Sequence, residues 1–222
     1  MTQNRSQAVM SRRDEPHDSL DYFGTPPWGT RALCEHVLVP KDWLGTPVWE
    51  PACGTGDMAR PLREYFGWVE ASDLHAHGYG EVRDFLIPHN GDMRVDWIVT
   101  NPPFRLAVEF ARHAQAIARA GVAILVRTAW TETADRERLF GEFPPTTIAQ
   151  FMGRLPINKG RPRRDAGTAT AYCWVVWRKG APPGTSWQMI PSAARAQLEY
   201  WGDYEGETGP EPKAVSRKRR AA

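Results

Sequence analysis

The chain has 222 residues, 41% hydrophobic and 24% charged, with a formal net charge of +2, which is ordinary for a soluble globular protein with one substantial core. No apolar run reaches the length of a bilayer span, and the polar start MTQNRSQAVMSRRDEPHDS lacks the apolar stretch of a signal peptide, so a cytoplasmic protein off the membrane is expected. The scattered Cys34, Cys53 and Cys173 fit a reducing compartment without disulfides, and His75 and His77 lack the cluster that would complete a metal site.

Residues 1–18 are polar and aperiodic, the pattern of a disordered tail. Order is expected from DYFGTPPWGTRALCEHVL, where Thr25, Pro26 and Pro27 make a rigid extended piece and Thr30 caps a short helix from Arg31 to Val37. TPVWEPA is a short strand ending in an acid, followed by the glycine turn CGTG and a helical pattern, DMARPLREYFG, in which Pro61 sits awkwardly near the first turn. WVEASDL reads as a strand ending at Asp73; a loop rich in His and Gly leads to EVRDFLIP and then to the strand DWIVT. RLAVEFARHAQAIARAG is an amphipathic helix stopped by Gly121, and GVAILVR is apolar enough for a strand buried on both faces. ETADRERLFGEF reads as a helix, TTIAQFM as a strand and ATAYCWVVW as the last strand.

Strands alternating with helices over short connections predict a mostly parallel α/β sheet, and the final two strands, joined only by a loop, an antiparallel hairpin at one edge. The expected division is a 1–18 tail, a 19–180 domain with 153–171 as a basic substrate-binding loop, a 181–204 helical extension and a 205–222 basic disordered tail. From Arg154 to Lys179 there are seven basic residues against one acid, Asp165. Within that span Arg154, Lys159, Arg161, Arg163 and Arg164 are candidates to grip a polyanion.

In such a sheet, ligands bind beyond the carboxyl ends of the strands. EPACGTG closes the first strand there, with glycines that let backbone approach a ligand and a helix start that offers N–H groups. Asp73 and Asp84 end the next two strand-like runs and can accept from a ribose diol and an exocyclic amine. No Gly-Lys-Ser/Thr follows the glycines, so a Walker phosphate site is excluded, and GTG does not complete GxGxxG. A cationic nucleoside cofactor without phosphate suits these acids better. The strand DWIVT then runs straight into Asn101, Pro102, Pro103 and Phe104.

EPACGTG, Asp73, Asp84 and NPPF, in this order, resemble S-adenosylmethionine-dependent DNA adenine-N6 methyltransferases. YFGTPPWGTRAL resembles the segment that precedes the glycine motif in that family. The motif order is similar to its gamma arrangement, and the TPPWGTRAL wording to small phage and prophage enzymes. The resemblance covers roughly residues 20–180. It implies a Rossmann-like class I methyltransferase with a mostly parallel seven-stranded sheet and one antiparallel edge hairpin.

It further implies that Asn101 and the Pro102 carbonyl accept hydrogen bonds from the target amine, that the prolines Pro102 and Pro103 fix the turn, and that Phe104 stacks on an extruded base. Glu50, Pro51, Ala52, Cys53, Gly54 and Gly56 would cradle the methionine part of the cofactor. Asp73 with Leu74 would take the ribose, Asp84 with Phe85 the adenine, and Tyr22, Thr25 and Pro26 would close the pocket beside Asn101. Trp28 fits the core or the site equally. Relatives place a second aromatic in the late motif, where this chain has Ile157; Phe151 or a tryptophan is the alternative.

The same turn serves enzymes that methylate ribosomal RNA bases and the glutamine amide of release factors, and a non-catalytic nucleic-acid-binding subunit is a further alternative. TPPWGTRAL and the basic loop favour DNA, and a protein-glutamine enzyme would call for a helical domain ahead of residue 20. The loop predicts salt-dependent binding of short or relaxed specificity; a homodimer or the C-terminal segment would have to supply any longer reader.

Overall fold

The computed structural model describes residues 22–39, 45–88 and 95–205. The expected disordered tails, 1–18 and 205–222, lie outside these apart from Glu205. Eight strands form one sheet in the order β3-β2-β1-β4-β5-β7-β6-β8. In chain order they are β1 (Pro47–Glu50), β2 (Trp68–Asp73), β3 (Glu81–Val82), β4 (Trp97–Thr100), β5 (Gly121–Arg127), β6 (Thr147–Phe151), β7 (Tyr172–Arg178) and β8 (Ser186–Ile190). All neighbours pair in parallel except β7, which runs antiparallel to both β5 and β6. The helices are α1 (Pro27–Leu33), α2 (Ala59–Leu62), α3 (Ala107–Ile117), α4 (Ala134–Glu142) and α5 (Ala194–Leu198).

Burial follows the apolar runs. Six of the seven residues of β5 and six of β7 are buried, as befits central strands covered on both faces. Their register pairs Leu125 with Trp174 and Ile124 with Val175, so alternate residues feed two cores. One face packs Leu125 and Trp174 with Trp28, Leu33 and Leu62; the other packs Ile124 and Val175 with Trp49, Phe110 and Leu139. Trp28 is therefore core, edge-on to Phe151. All three cysteines are free and buried.

Several local expectations change. The sheet has eight strands, not seven, and the β6–β7 hairpin is internal, because β8 adds in parallel outside β6. The 181–204 segment is thus a strand followed by the expected short helix. Thr30 does not cap a helix; α1 starts at Pro27, whose missing N–H costs nothing at a first turn, and runs into a π-helical turn, Cys34–Leu38. α3 stops at Ile117, while Gly121 opens β5, where a β-carbon would meet the Trp97 ring at 2.4 Å.

The C-terminal segment is tied back by one buried cation. Arg31 donates two hydrogen bonds of 2.8 Å to Asp203, two of 2.7 and 2.9 Å to Glu64 and one of 2.8 Å to the Leu198 carbonyl. The Tyr200 ring lies 4.0 Å from its guanidinium carbon. Removing the cation strands the Asp203 carboxylate, whose side chain is 6% exposed. Arg31→Ala is expected to lower the free energy of unfolding by about 3–5 kcal/mol, read from urea denaturation.

Candidate active site

The chain leaves β1 toward β2 and β3, then returns to the other side of β1 as β4. That reversal opens a crevice at the carboxyl ends of β1 and β4, the usual ligand position in an open α/β sheet. A cavity of about 710 Å³ occupies it. At its base Glu50 ends β1, fully buried, and the Thr100 hydroxyl at the end of β4 donates to Glu50 Oε1 at 2.6 Å. The Ala52 N–H also reaches Oε1, at 3.2 Å, whereas Oε2 is buried without a partner among the described residues. Burial pushes the carboxyl up to about 8; the bonds from Thr100 and Ala52 oppose the shift and nearby Asp73 adds to it.

The next wall is built by acids and the glycine turn. Asp73 at the end of β2 accepts from the Gly54 N–H at 2.9 Å and from the His75 N–H at 3.0 Å. Asp84, two residues past β3, accepts from the Leu86 N–H at 2.9 Å. Cys53, Leu74 and Phe85 also reach the cavity, as do Pro51 and Ala52.

The glycines sit against aromatic rings. A β-carbon on Gly54 (φ 50°) would lie 2.2 Å from the Tyr22 ring, and one on Gly56 (φ 86°) 2.7 Å from the Tyr79 ring. They leave room for aromatic rings and neither lines the cavity, nor does Pro26, the residue ahead of α1. The turn also runs on to residue 58 before α2, a helix of only four residues whose N-cap, Met58, lines the cavity.

Residues 22–25 form a flap across the opening. The Tyr22 hydroxyl donates to Asp57 at 2.5 Å and lies 2.6 Å from the Thr55 hydroxyl. Backbone bonds of 2.9 Å, Gly24 N–H to the Gly160 carbonyl and Gly160 N–H to the Tyr22 carbonyl, join the flap to the basic loop.

Asn101 follows β4 directly, with its Nδ2 donating to the Phe23 carbonyl at 2.8 Å and to Thr25 Oγ1 at 3.1 Å. The Phe23 carbonyl can only accept, which dictates which end of the amide faces it. Oδ1 is buried without a partner among the described residues, beside the cavity that Asn101, Pro102, Pro103 and Phe104 line. Phe23 packs directly against Phe104, with ring centroids 5.0 Å apart. Ile157 and Phe151 are buried in the core, at 4% and 6% exposure, and do not fill the place of a second aromatic. The Arg127 guanidinium carbon sits 4.5 Å from the Phe104 ring.

The basic loop is partly used internally. Arg164 pairs with Glu199 at 2.9 Å and donates to the Tyr200 carbonyl, and Arg161 pairs with Glu205. The residues at 154, 159 and 163 are exposed. Phe23, Asp57 and Phe110 reach the cavity without having been singled out in the sequence, as do His75 and His77, which were weighed there only as metal ligands. Of these Asp57, adjoining the glycine turn, and Phe23, adjoining Tyr22, carried a positional signal. No cluster of His, Cys, Asp or Glu among the described residues could hold a metal ion.

No family model and no curated protein matches the chain. A candidate RNA methyltransferase from Pyrococcus horikoshii is similar over 75% of this chain and 91% of its own, at 18% identity and a TM-score of 0.55. A candidate haemolysin from Lactococcus lactis is similar over 78% of this chain and 95% of its own, at 13% identity and a TM-score of 0.50. The magnesium protoporphyrin IX methyltransferase of Synechocystis, solved with bound SAM, covers 68% of this chain and 79% of its own at 13% identity, with a TM-score of 0.49. The fold is Rossmann-like, of the methyltransferase type. Among the described residues no helix is long and apolar enough to cross a membrane.

The Glu50 carboxyl generates a pH signature. Its folded value, about 8, lies above the ordinary 4.5, so its contribution to stability is full below about 4.5 and is lost as pH rises through 8. The unliganded protein is expected to lose stability relative to Glu50→Gln between pH 5 and 9, measured as the gap between their urea unfolding free energies.

Proposed function

We propose that the chain transfers a methyl group from S-adenosylmethionine to the N6 amino group of adenine in DNA, with short or relaxed sequence specificity. The observation that carries this reading is the Asn101 amide, whose Nδ2 is fully engaged by the flap while Oδ1 is buried and unsatisfied beside the cavity. A buried acceptor left without a donor costs free energy that a ligand N–H would recover. An aryl amine brings that N–H to a turn whose next carbonyl, that of Pro102, is a second acceptor.

The cavity fits the cofactor on similar grounds. Its volume of about 710 Å³ suits a nucleoside-sized ligand. The orphaned Oε2 of Glu50 is matched by an ammonium, whose charge would draw the proton off this carboxyl. Asp73 and Asp84, on the same wall, would accept from the ribose diol and the adenine amine. When bound, S-adenosylmethionine supplies an electrophilic methyl group and departs as a neutral thioether.

The remaining work falls to the chain. Asn101 Oδ1 and the Pro102 carbonyl draw the two amine hydrogens aside, which pulls the nitrogen out of conjugation and frees its lone pair for the methyl carbon. Neither group is a strong base, and none is required, because the amine proton can pass to solvent once the new C–N bond has formed. Phe104 and Phe23 offer aromatic surface to an extruded base. DNA as the polymer is supported by the resemblance of TPPWGTRAL and by the basic loop hydrogen-bonded to the flap.

The decisive experiment is incubation of the full chain with S-adenosylmethionine and either plasmid DNA or RNA, followed by mapping of modified bases. N6-methyladenine in the plasmid is the expected product, and methylation confined to RNA would move the substrate. Asn101→Ala is expected to lower turnover by about 10²–10³-fold. Cofactor affinity by calorimetry should change little, since the flap keeps its anchors at Asp57 and Gly160.

The basic loop makes a separate prediction. Each phosphate contact contributes about 0.9 to the slope of log affinity against log salt, so replacing Arg154, Lys159 and Arg163 by Ala should flatten that slope by up to about three units. The loss should be nearly equal across DNA sequences. A mapped methylome obeying a long, strict motif would overturn the relaxed specificity.

A further inference from the structure

We propose that Thr25 is a positioning residue for Asn101: its hydroxyl and the Phe23 carbonyl together hold the Asn101 amide in the one orientation that accepts a substrate amine. The proposal rests on the methyl-transfer reading, and it moves Thr25 from the wall of the cofactor pocket to the control of the reacting end.

A side-chain amide has two ends of nearly the same shape. Rotated by half a turn, Asn101 would present NH₂ to the cavity, a donor where an incoming amine needs an acceptor. The flap prevents this, and its acceptor-only Phe23 carbonyl is the group that tells the two ends apart. The Phe23 carbonyl, 2.8 Å from Nδ2, carries only lone pairs, so a flipped amide would set oxygen against oxygen. Thr25 Oγ1, at 3.1 Å, takes the second amide hydrogen and with it fixes the plane of the group. With both hydrogens bound, the direction of Oδ1 is determined.

The holder is itself held. Thr25 is 3% exposed and is followed by Pro26, at φ −52° and ψ 130°, and by Pro27 at the start of α1. On its other side the Gly24–Gly160 and Gly160–Tyr22 bonds flank the Phe23 carbonyl, and Tyr22 is latched to Asp57. The amide orientation is therefore set by a segment almost eighty positions earlier in the chain, and that segment is hydrogen-bonded to the loop proposed to meet the nucleic acid.

The test uses the full chain and two substitutions. Thr25→Val keeps the shape and removes the acceptor; Thr25→Ser keeps the acceptor and removes the methyl group. At saturating S-adenosylmethionine and plasmid DNA, Thr25→Val is expected to lower kcat at least tenfold while the cofactor Kd, by calorimetry, stays within about twofold of the parent; Thr25→Ser should restore kcat. A second readout needs no substrate: in ¹⁵N-labelled protein the Asn101 side-chain NH₂ signals, assigned by their loss in Asn101→Asp, should be protected from hydrogen exchange in the parent and in Thr25→Ser but not in Thr25→Val. Equal protection in all three, or a Kd that rises while saturated kcat is unchanged, would overturn the proposal and return Thr25 to the pocket wall. Protection that follows the Thr25 hydroxyl in a parent chain that methylates neither DNA nor RNA would leave the positioning intact and refute the methyl-transfer reading.

Discussion

The hydrogen bond from Thr100 to Glu50 spans the gap where the chain reverses across the sheet, and the rest of the site is arranged around that gap. β1 and β4 are adjacent, yet their connections depart in opposite directions, which leaves a crevice above their ends. The polar side chains at the bottom, Glu50 and Thr100, are nonetheless buried. Glu50 carries that strain as a raised carboxyl and an unused oxygen. A carboxyl in such surroundings is held neutral until a cation arrives, so an acid at this depth acts as a conditional charge.

The second organising element is the flap, which belongs to no strand or long helix. Four consecutive residues touch the glycine turn, the Asn-Pro-Pro-Phe turn and the basic loop, three segments that are far apart in sequence. Backbone atoms of the flap make half of these hydrogen bonds and its side chains the other half. A segment held so closely also requires small residues where rings and chains pass. Gly54 and Gly24 meet that requirement, since a β-carbon on Gly24 would lie 2.6 Å from Pro162.

The legible parts were those in which one chemical cause acts alone. β4, β5 and β7 are continuous apolar runs, and burial on both faces produces that pattern directly. Asn101 and its prolines stood out because a polar, rigid turn directly after a buried strand has few structural uses. β8 was not legible because Trp187 and Met189 are 63% and 57% exposed and only Ile190 is buried, so the strand has no core-facing periodicity. The partners of Arg161 and Arg164 were hidden for another reason: Glu199 and Glu205 are brought to the loop by the C-terminal segment, a contact that local pattern does not encode. Phe23 stood inside YFGTPPWGTRAL, but the likeness gave roles only to its neighbours Tyr22, Thr25 and Pro26.

The buried thiols give the protein an internal set of chemical reporters. Burial raises all three, Cys53 and Cys173 to about 12, so the reactive thiolate is scarce in the native state. Cys34 and Cys173 lie inside the two cores and become alkylatable only when the sheet itself comes apart. Cys53 is different, because its sulfur sits at the cavity wall, 3.4 Å from the Tyr79 carbonyl. An alkylating reagent therefore separates two kinds of opening by which cysteine it marks: Cys53 records loosening of the wall around the crevice, and the other two record global unfolding.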